Sequence, residues 1–228
     1  MECNMKIILE EIKKDSSKIF TFIKQEEYKI IEELILNNKI DVNLVDSIGN
    51  DVVTRLLKAK QYDLVLVLMK KRNWNVNHQN VDGDTFAHIL ANDDSVAAVK
   101  IVEQLTKKKN YLPNIKNNKG QTALDKALNN QYLYTAFKIL EDKRFNNIDI
   151  FSFKNLFNVT VKNTYYGKYS KINNLEIIVL NLEKKNLDSL MTDLIENIRS
   201  NMDAIKREIM NNGSTIIDNI INNHLIME

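Results

Sequence analysis

The residues best able to do chemistry are three histidines, one cysteine and two close-set acidic pairs. His78, His88 and His224 have no second histidine and no cysteine at metal-ligand spacing, so no zinc or other metal site is expected. Cys3 has no histidine placed to make it a nucleophile, and no Gly-x-Ser-x-Gly elbow is present. Gly120 and Gly167 stand alone, which excludes a glycine-rich phosphate loop. Asp82-Gly83-Asp84 and Asp93-Asp94 bring carboxylates together as a metal or glycosidase site would. Aspartate is equally at home in turns and helix starts, and that reading needs no ligand. A non-catalytic chain without cofactor is therefore expected.

The elements that would position these residues announce themselves by repetition. A nine-residue string occurs at 41–49, 75–83 and 112–120, ending each time in glycine. Gly49, Gly83 and Gly120 are 34 and 37 residues apart, and an asparagine (Asn43, Asn77, Asn114) lies six residues before each. A period of this length means one supersecondary unit copied in tandem. After the glycines come Asn50-Asp51-Val52-Val53-Thr54-Arg55-Leu56, Asp84-Thr85-Phe86-Ala87-His88-Ile89-Leu90 and Gln121-Thr122-Ala123-Leu124-Asp125-Lys126-Ala127. The glycine suits a positive-φ turn, and the threonine can cap a following helix.

This pattern resembles the ankyrin repeat, with its Gly-x-Thr-Pro-Leu-His-x-Ala signature and period near 33. The third copy keeps Thr122, Leu124 and Ala127, the second keeps Thr85 and His88, and the first keeps only the apolar pattern at Val52, Val53 and Leu56. The usual proline is replaced by Val52, Phe86 and Ala123. The resemblance implies an all-α solenoid of paired helices, in which His88 hydrogen-bonds backbone across the turn. Thr54 and Asp125 stand at its place in the other copies.

Second helices are read from apolar spacing: Leu64, Val65, Val67 and Leu68; Val96, Val99, Val102 and Leu105; Tyr134, Phe137 and Leu140. Each precedes basic residues that suit a helix C-terminus. The three extra residues of the 37-residue step are placed in 106–110, as a longer helix end or loop. A helix pair over 17–24 and 27–37 predicts an N-terminal repeat, and Phe145-Asn146-Asn147 begins a degenerate terminal one. The repeat domain is thus expected over 1–161, with recognisable repeats at about 41–74, 75–111 and 112–146. Trp74 is expected to fill the inter-repeat groove, with a surface hot spot as the alternative.

From 162 to 228 the text changes to a helical C-terminal segment. Residues 174–184 carry one apolar side. Asp188 or Ser189 can start a long helix with Leu187, Leu190, Met191, Leu194, Ile198, Met202, Ile205 and Ile209 at spacings of three and four. Asn212-Gly213 marks a stop, and Ser214 can cap a last apolar helix. A bundle capping the repeats is one reading. A homodimer, or a docking helix for another protein, is the other.

Net charge is +2, from 32 basic and 30 acidic residues, which makes no electrostatic case for nucleic acid. The run Lys107-Lys108-Lys109 is expected to be a solvated helix end. No apolar run is long enough for a membrane span, and residues 1–12 lack the uninterrupted core of a signal peptide. One cysteine cannot form an intrachain disulfide, so a cytoplasmic chain, or one in a host cell's cytosol, is expected. Richness in Asn, Lys and Ile is shared with ankyrin proteins of giant DNA viruses and intracellular parasites. Some of those recruit a ubiquitin ligase through an F-box-like end opening on Leu-Pro, whereas the one proline here is Pro113.

The resemblance implies a protein partner on the concave face, touching the residues around the glycine and late in the first helix. Carried across, these are Ser47, Ile48, Asn50, Lys58 and Ala59; Val81, Asp82, Asp84, Asn92 and Asp93; Asn118, Lys119, Gln121, Asn129 and Asn130. The middle group is acidic, so a basic feature on the partner is expected opposite it. The expected function is scaffold or adaptor, with self-association through the C-terminal helices as the rival.

Overall fold

The computed structural model describes residues 8, 10–12, 14–37, 39–145, 189–210 and 219. The expectations for Cys3, Gly167, His224, the 161/162 boundary, the repeat after Phe145, residues 174–184 and the helix after Ser214 lie outside them. The chain forms two compact units, Met1–Ala123 and Leu124–Glu228.

Among the described residues the regular structure is helical. The helices are α1 (Lys18–Lys24), α2 (Tyr28–Leu36), α3 (Val52–Lys58), α4 (Tyr62–Leu68), α5 (Phe86–Leu90), α6 (Val96–Thr106), α7 (Ala123–Asn129), α8 (Leu133–Leu140), α9 (Ser189–Ser200) and α10 (Met202–Met210). In the first unit, α1 packs on α2, α3 on α4 and α5 on α6. First helices also pack on first helices, α1 on α3 and α3 on α5, and α4 packs on α6. A first helix therefore has neighbours on several sides. This is why Val52, Val53, Thr54, Leu56 and Leu57 of α3, and all five residues of α5, are buried. Such helices gain their stability from burial and can stay short.

Second helices bury one face, and here the structure corrects the sequence reading. In α6 the buried residues are Ala98, Ile101, Val102 and Leu105, while Val96 is 75% exposed. In α8 Thr135, Ala136, Ile139 and Leu140 are buried, and Tyr134 is 60% exposed. A strict spacing of three drifts round a helix, so Val96 and Leu105 lie about 180° apart and cannot share a face. Spacings of three and four keep Ala98 to Leu105 together. α6 has 11 residues against 7 in α4, so the longer step of the repeat is a longer helix end.

Each nonapeptide ends in a tight turn built to one plan. The amide of Gly49 donates to the Asp46 carbonyl (3.0 Å), Gly83 to Asn80 (2.9 Å) and Gly120 to Asn117 (2.9 Å). The side-chain oxygen three residues before each glycine accepts two further amides. Asp46 takes Ile48 and Asn50 (3.0 and 2.9 Å), Asn80 takes Asp82 and Asp84 (both 3.0 Å), and Asn117 takes Lys119 and Gln121 (both 3.0 Å). The spare amide groups reach back one repeat, Asn80 Nδ2 donating to Asn50 Oδ1 (3.0 Å) and Asn117 Nδ2 to Asp84 Oδ1 (2.8 Å). Asp46 has no such group, and its other oxygen pairs with Arg55.

A second ladder joins the starts of the nonapeptides. Asn43 donates to the Asn73 carbonyl and accepts the Asn75 amide (both 2.8 Å), and Asn77 does the same with Asn110 and Leu112 (2.6 and 2.9 Å). His78 Nε2 donates to the Gly49 carbonyl (2.7 Å). His88 Nδ1 accepts from the amide and hydroxyl of Thr85 (3.1 and 2.8 Å). Its proton therefore sits on Nε2, which donates to the Gln121 carbonyl (2.9 Å). This is the bond the resemblance implies. In the first repeat Asp51, at the place of Thr85, does the capping: one oxygen accepts the Thr54 amide (2.6 Å) and the other the Trp74 indole (2.9 Å). Trp74 is buried, with its ring edge-on to Phe86 at 5.0 Å and Lys108 above it at 5.4 Å. It fills the groove between repeats, and Lys108 is part of that packing rather than a solvated end.

The turns between paired helices carry left-handed residues at Glu26, Lys60 and Gln131 (φ 61°, 57° and 60°). Each has the paired backbone bonds of a left-handed helix cap, as in Lys60 N–H to Leu57 O and Gln61 N–H to Leu56 O (both 2.9 Å). Glycine is the usual occupant of that position.

In the second unit, α9 and α10 are separated at Asn201, whose side chain donates to the Asn197 carbonyl (2.9 Å). The long predicted helix is thus two. Ile195, Ile198 and Ile205 are buried.

Three outcomes follow. A Cβ at Gly83 would lie 2.5 Å from Asn118 Oδ1 and 2.7 Å from its amide, whereas one at Gly120 meets no described atom within 4 Å. Both have φ of 73°. Gly120→Ala should cost about 1–2 kcal/mol, and Gly83→Ala at least about 1 kcal/mol more, in urea unfolding. Gln131→Gly relieves a left-handed side chain at some cost in unfolded-state freedom, and should stabilise by about 0.5–1 kcal/mol. For Asp46, burial opposes the charge, but the amides of Asn50 and Ile48 and the Arg55 guanidinium prevail and hold its carboxyl below the ordinary value. A depressed carboxyl adds stability above its unfolded pKa of about 4, lost as pH falls through the folded value. Asp46→Asn keeps the oxygen that accepts the turn amides, so it should cost only about 1 kcal/mol at pH 7. Below about pH 4 the variant should lose less stability with falling pH than the parent, read from thermal midpoints between about pH 2.5 and 6.

Candidate functional site

The turn plan sorts the residues around each glycine into two groups. The two before it form the exposed tip: Ser47-Ile48, Val81-Asp82 and Asn118-Lys119. The tips are tied to one another through backbone. The Val81 amide donates to the Ile48 carbonyl (3.2 Å) and the Asn118 amide to the Asp82 carbonyl (3.0 Å). The Asn118 side chain also donates to the Val81 carbonyl (2.9 Å). Ile48 and Val81 nevertheless present apolar side chains, 43% and 61% exposed.

The residue after each glycine belongs to the scaffold. Asn50 is 1% exposed and bonded to Asn80, so it cannot offer its side chain to a partner as the sequence reading expected. Asp84 is half-buried and accepts from Asn117. Gln121 is half-buried, its carbonyl taken by His88 and its amide by Asn117.

The ends of the first helices are mixed. Lys58, Asn92, Asn129 and Asn130 are exposed, the last two in the second unit, and Ala59 is half-buried. Asp93 accepts the Tyr62 hydroxyl and the Ser95 amide (2.8 Å). Burial works against its charge, yet the Tyr62 bond and then Ser95 hold its carboxyl below the ordinary value, while burial and Asp93 push the Tyr62 hydroxyl up. Of the three acids expected to face a partner, Asp82 is the one whose carboxylate is exposed. Lys58 feels Asp46, Asp84 and Asp82, but burial first and Arg55 second draw its ammonium below the ordinary value.

A cleft of about 570 Å³ opens beside Lys58, between the ends of α1 and α3. Phe20, Ile23, Tyr28 and Ala59 give it an apolar lining. Lys24, Arg55, Lys58 and Lys60 give it charge, and Glu26 is the one acid among its lining residues. Sequence reasoning reached Lys58 and Ala59 only. The period of 34 that relates Glu26 to Lys60 was the available signal. Among the described residues no group of His, Cys, Asp and Glu could hold a metal, and no helix is long and apolar enough to cross a membrane.

No protein-family model matches the sequence, and no curated protein matches it. In fold the chain is similar to the crystal structure of EF0377, an ankyrin repeat protein, with a TM-score of 0.54 and 16% identity. The similarity covers 86% of this chain and 98% of that one. With the glycine turns, the paired helices and the His88 bridge, it establishes that this chain has the ankyrin-repeat fold.

Proposed function

We propose that this chain is a non-catalytic protein-binding module, of adaptor or scaffold type, that meets its partner with the turn tips and first-helix ends of its repeats. One observation carries the reading: the tips expose Ile48 and Val81 while the backbone beneath them is pinned by side-chain and inter-repeat hydrogen bonds. Such a surface exists before the partner arrives, so little ordering cost attends binding. The fold itself, hosting many functions, supports this as analogy only. Self-association through the C-terminal helices gains no support from Ile195, Ile198 and Ile205, which are already buried within one chain.

Partners captured on the full chain from extract of its own or its host's cells, then titrated by calorimetry, test the reading. Val81→Arg should weaken binding by about tenfold or more, the range of a truncated hot spot, with a thermal midpoint close to that of the parent. Partners indifferent to changes at Ile48, Val81 and Asp82 would falsify the tip surface.

A further inference from the structure

The cleft beside Lys58 has the size of a ligand site, in the range of roughly 300–1,000 Å³. Its lining combines an apolar floor with four cations and one anion. Arg55 is already answered by Asp46. Among the described residues, none of Lys24, Lys58 and Lys60 forms an ion pair. The chain as a whole is nearly neutral, and the cleft lining itself carries more positive than negative groups, with Asp46, Asp84 and Asp82 near Lys58 and Asp93 near Lys60 outside it.

The rim is unusual in its backbone as well. Glu26 and Lys60 occupy equivalent left-handed caps where glycine would cost less, and both line the cleft. Gln131 holds a like position without a charge. Two long charged side chains are therefore retained at the mouth of the cleft against a local conformational cost.

We infer that the cleft seats an acidic segment of the partner protein, with an apolar or aromatic side chain against Phe20, Ile23 and Ala59 and carboxylates against Lys24, Lys58 and Lys60. The inference rests on the protein-binding reading and gives the partner's chemistry at this cleft. The depressed ammonium of Lys58, caused by burial and then by Arg55, is a charge that an incoming carboxylate would relieve. A nucleic acid fits less well, because Phe20 and Tyr28 are half-buried rather than laid open as stacking platforms.

The full chain, panned against a phage-displayed library of random dodecapeptides, should enrich peptides with acidic residues flanking an aromatic or aliphatic one. By fluorescence polarisation their affinity should fall with added salt and drop at least about tenfold in the Lys24→Glu/Lys58→Glu variant. Lys58→Met, which keeps the apolar stem, should bind a few-fold more weakly while melting as the parent does. The assignment is overturned by enriched peptides that are not acidic, by affinities the double variant leaves within about twofold, or by a library yielding no specific binder. It is also overturned if a twelve-thymidine strand binds the cleft more tightly than the peptides. Peptides lost on Val81→Arg but untouched by the cleft variants would remove the cleft and keep the tip surface. Peptides indifferent to both sets would remove both.

Discussion

A turn that reverses the chain within four residues leaves amides with no helix or strand to receive them, and buried amides must be answered. Here one side-chain oxygen, three residues before each glycine, accepts two of them. That single contact fixes the turn, and the turn fixes everything around it. It sets where the exposed tip stands, where the next helix starts, and whether a spare amide group is available for the preceding repeat. Asparagine at 80 and 117 accepts with its oxygen and donates backwards with its nitrogen. Aspartate at 46 accepts equally well but has nothing to donate, and its second oxygen goes to Arg55 within its own repeat. The chemistry of one amide against one carboxylate thus separates the turns that bridge backwards from the one that does not.

Packing builds on that frame in two different ways. The first helices α3 and α5 are enclosed by partner and neighbours, so five of seven and all five of their residues are buried and no amphipathic period is needed. Second helices face inward on one side only, and Ala98 and Ala136, each fully buried, stand where bulk would hold a helix off. Trp74 closes the gap left by this arrangement. It touches Phe86 and Lys108 and gives its indole proton to Asp51, so one residue joins a cap, a core helix and a helix end.

The repeat period, the glycine turns and the role of His88 were legible because each rests on a residue type with few alternatives: positive φ wants glycine, and an imidazole can link two backbones. The second-helix faces were misread because the larger side chains Val96 and Tyr134 drew attention from the small ones that are buried. Asp46, Asn80 and Asn117 as turn anchors were not legible because they precede the glycine, where the family signature has not begun, and Asp51 as a cap was not, because it stands where the signature has threonine. Among the site residues, the tips could be found by alignment. That Asn50 is buried, and that Asp84 and Asp93 already have partners, could not, since a hydrogen bond to another repeat leaves no mark on local spacing. The cleft was hidden for the same reason: its cations come from two repeats and acquire a common meaning only when α1 and α3 lie side by side.

The left-handed caps show how such a fold tolerates divergence. A non-glycine residue there costs of order 1–2 kcal/mol, yet three are present, and each keeps both backbone bonds of the cap. Those two bonds hold the turn, so a locally unfavourable residue is kept where a free helix end would fray. This leaves the identity of the cap residue open to other demands. In a repeat whose anchors are buried and whose tips and caps are exposed, sequence can change on the displayed positions while the anchored ones hold the shape. Exposed positions, such as Lys60 and Val81, are for that reason able to specify a partner.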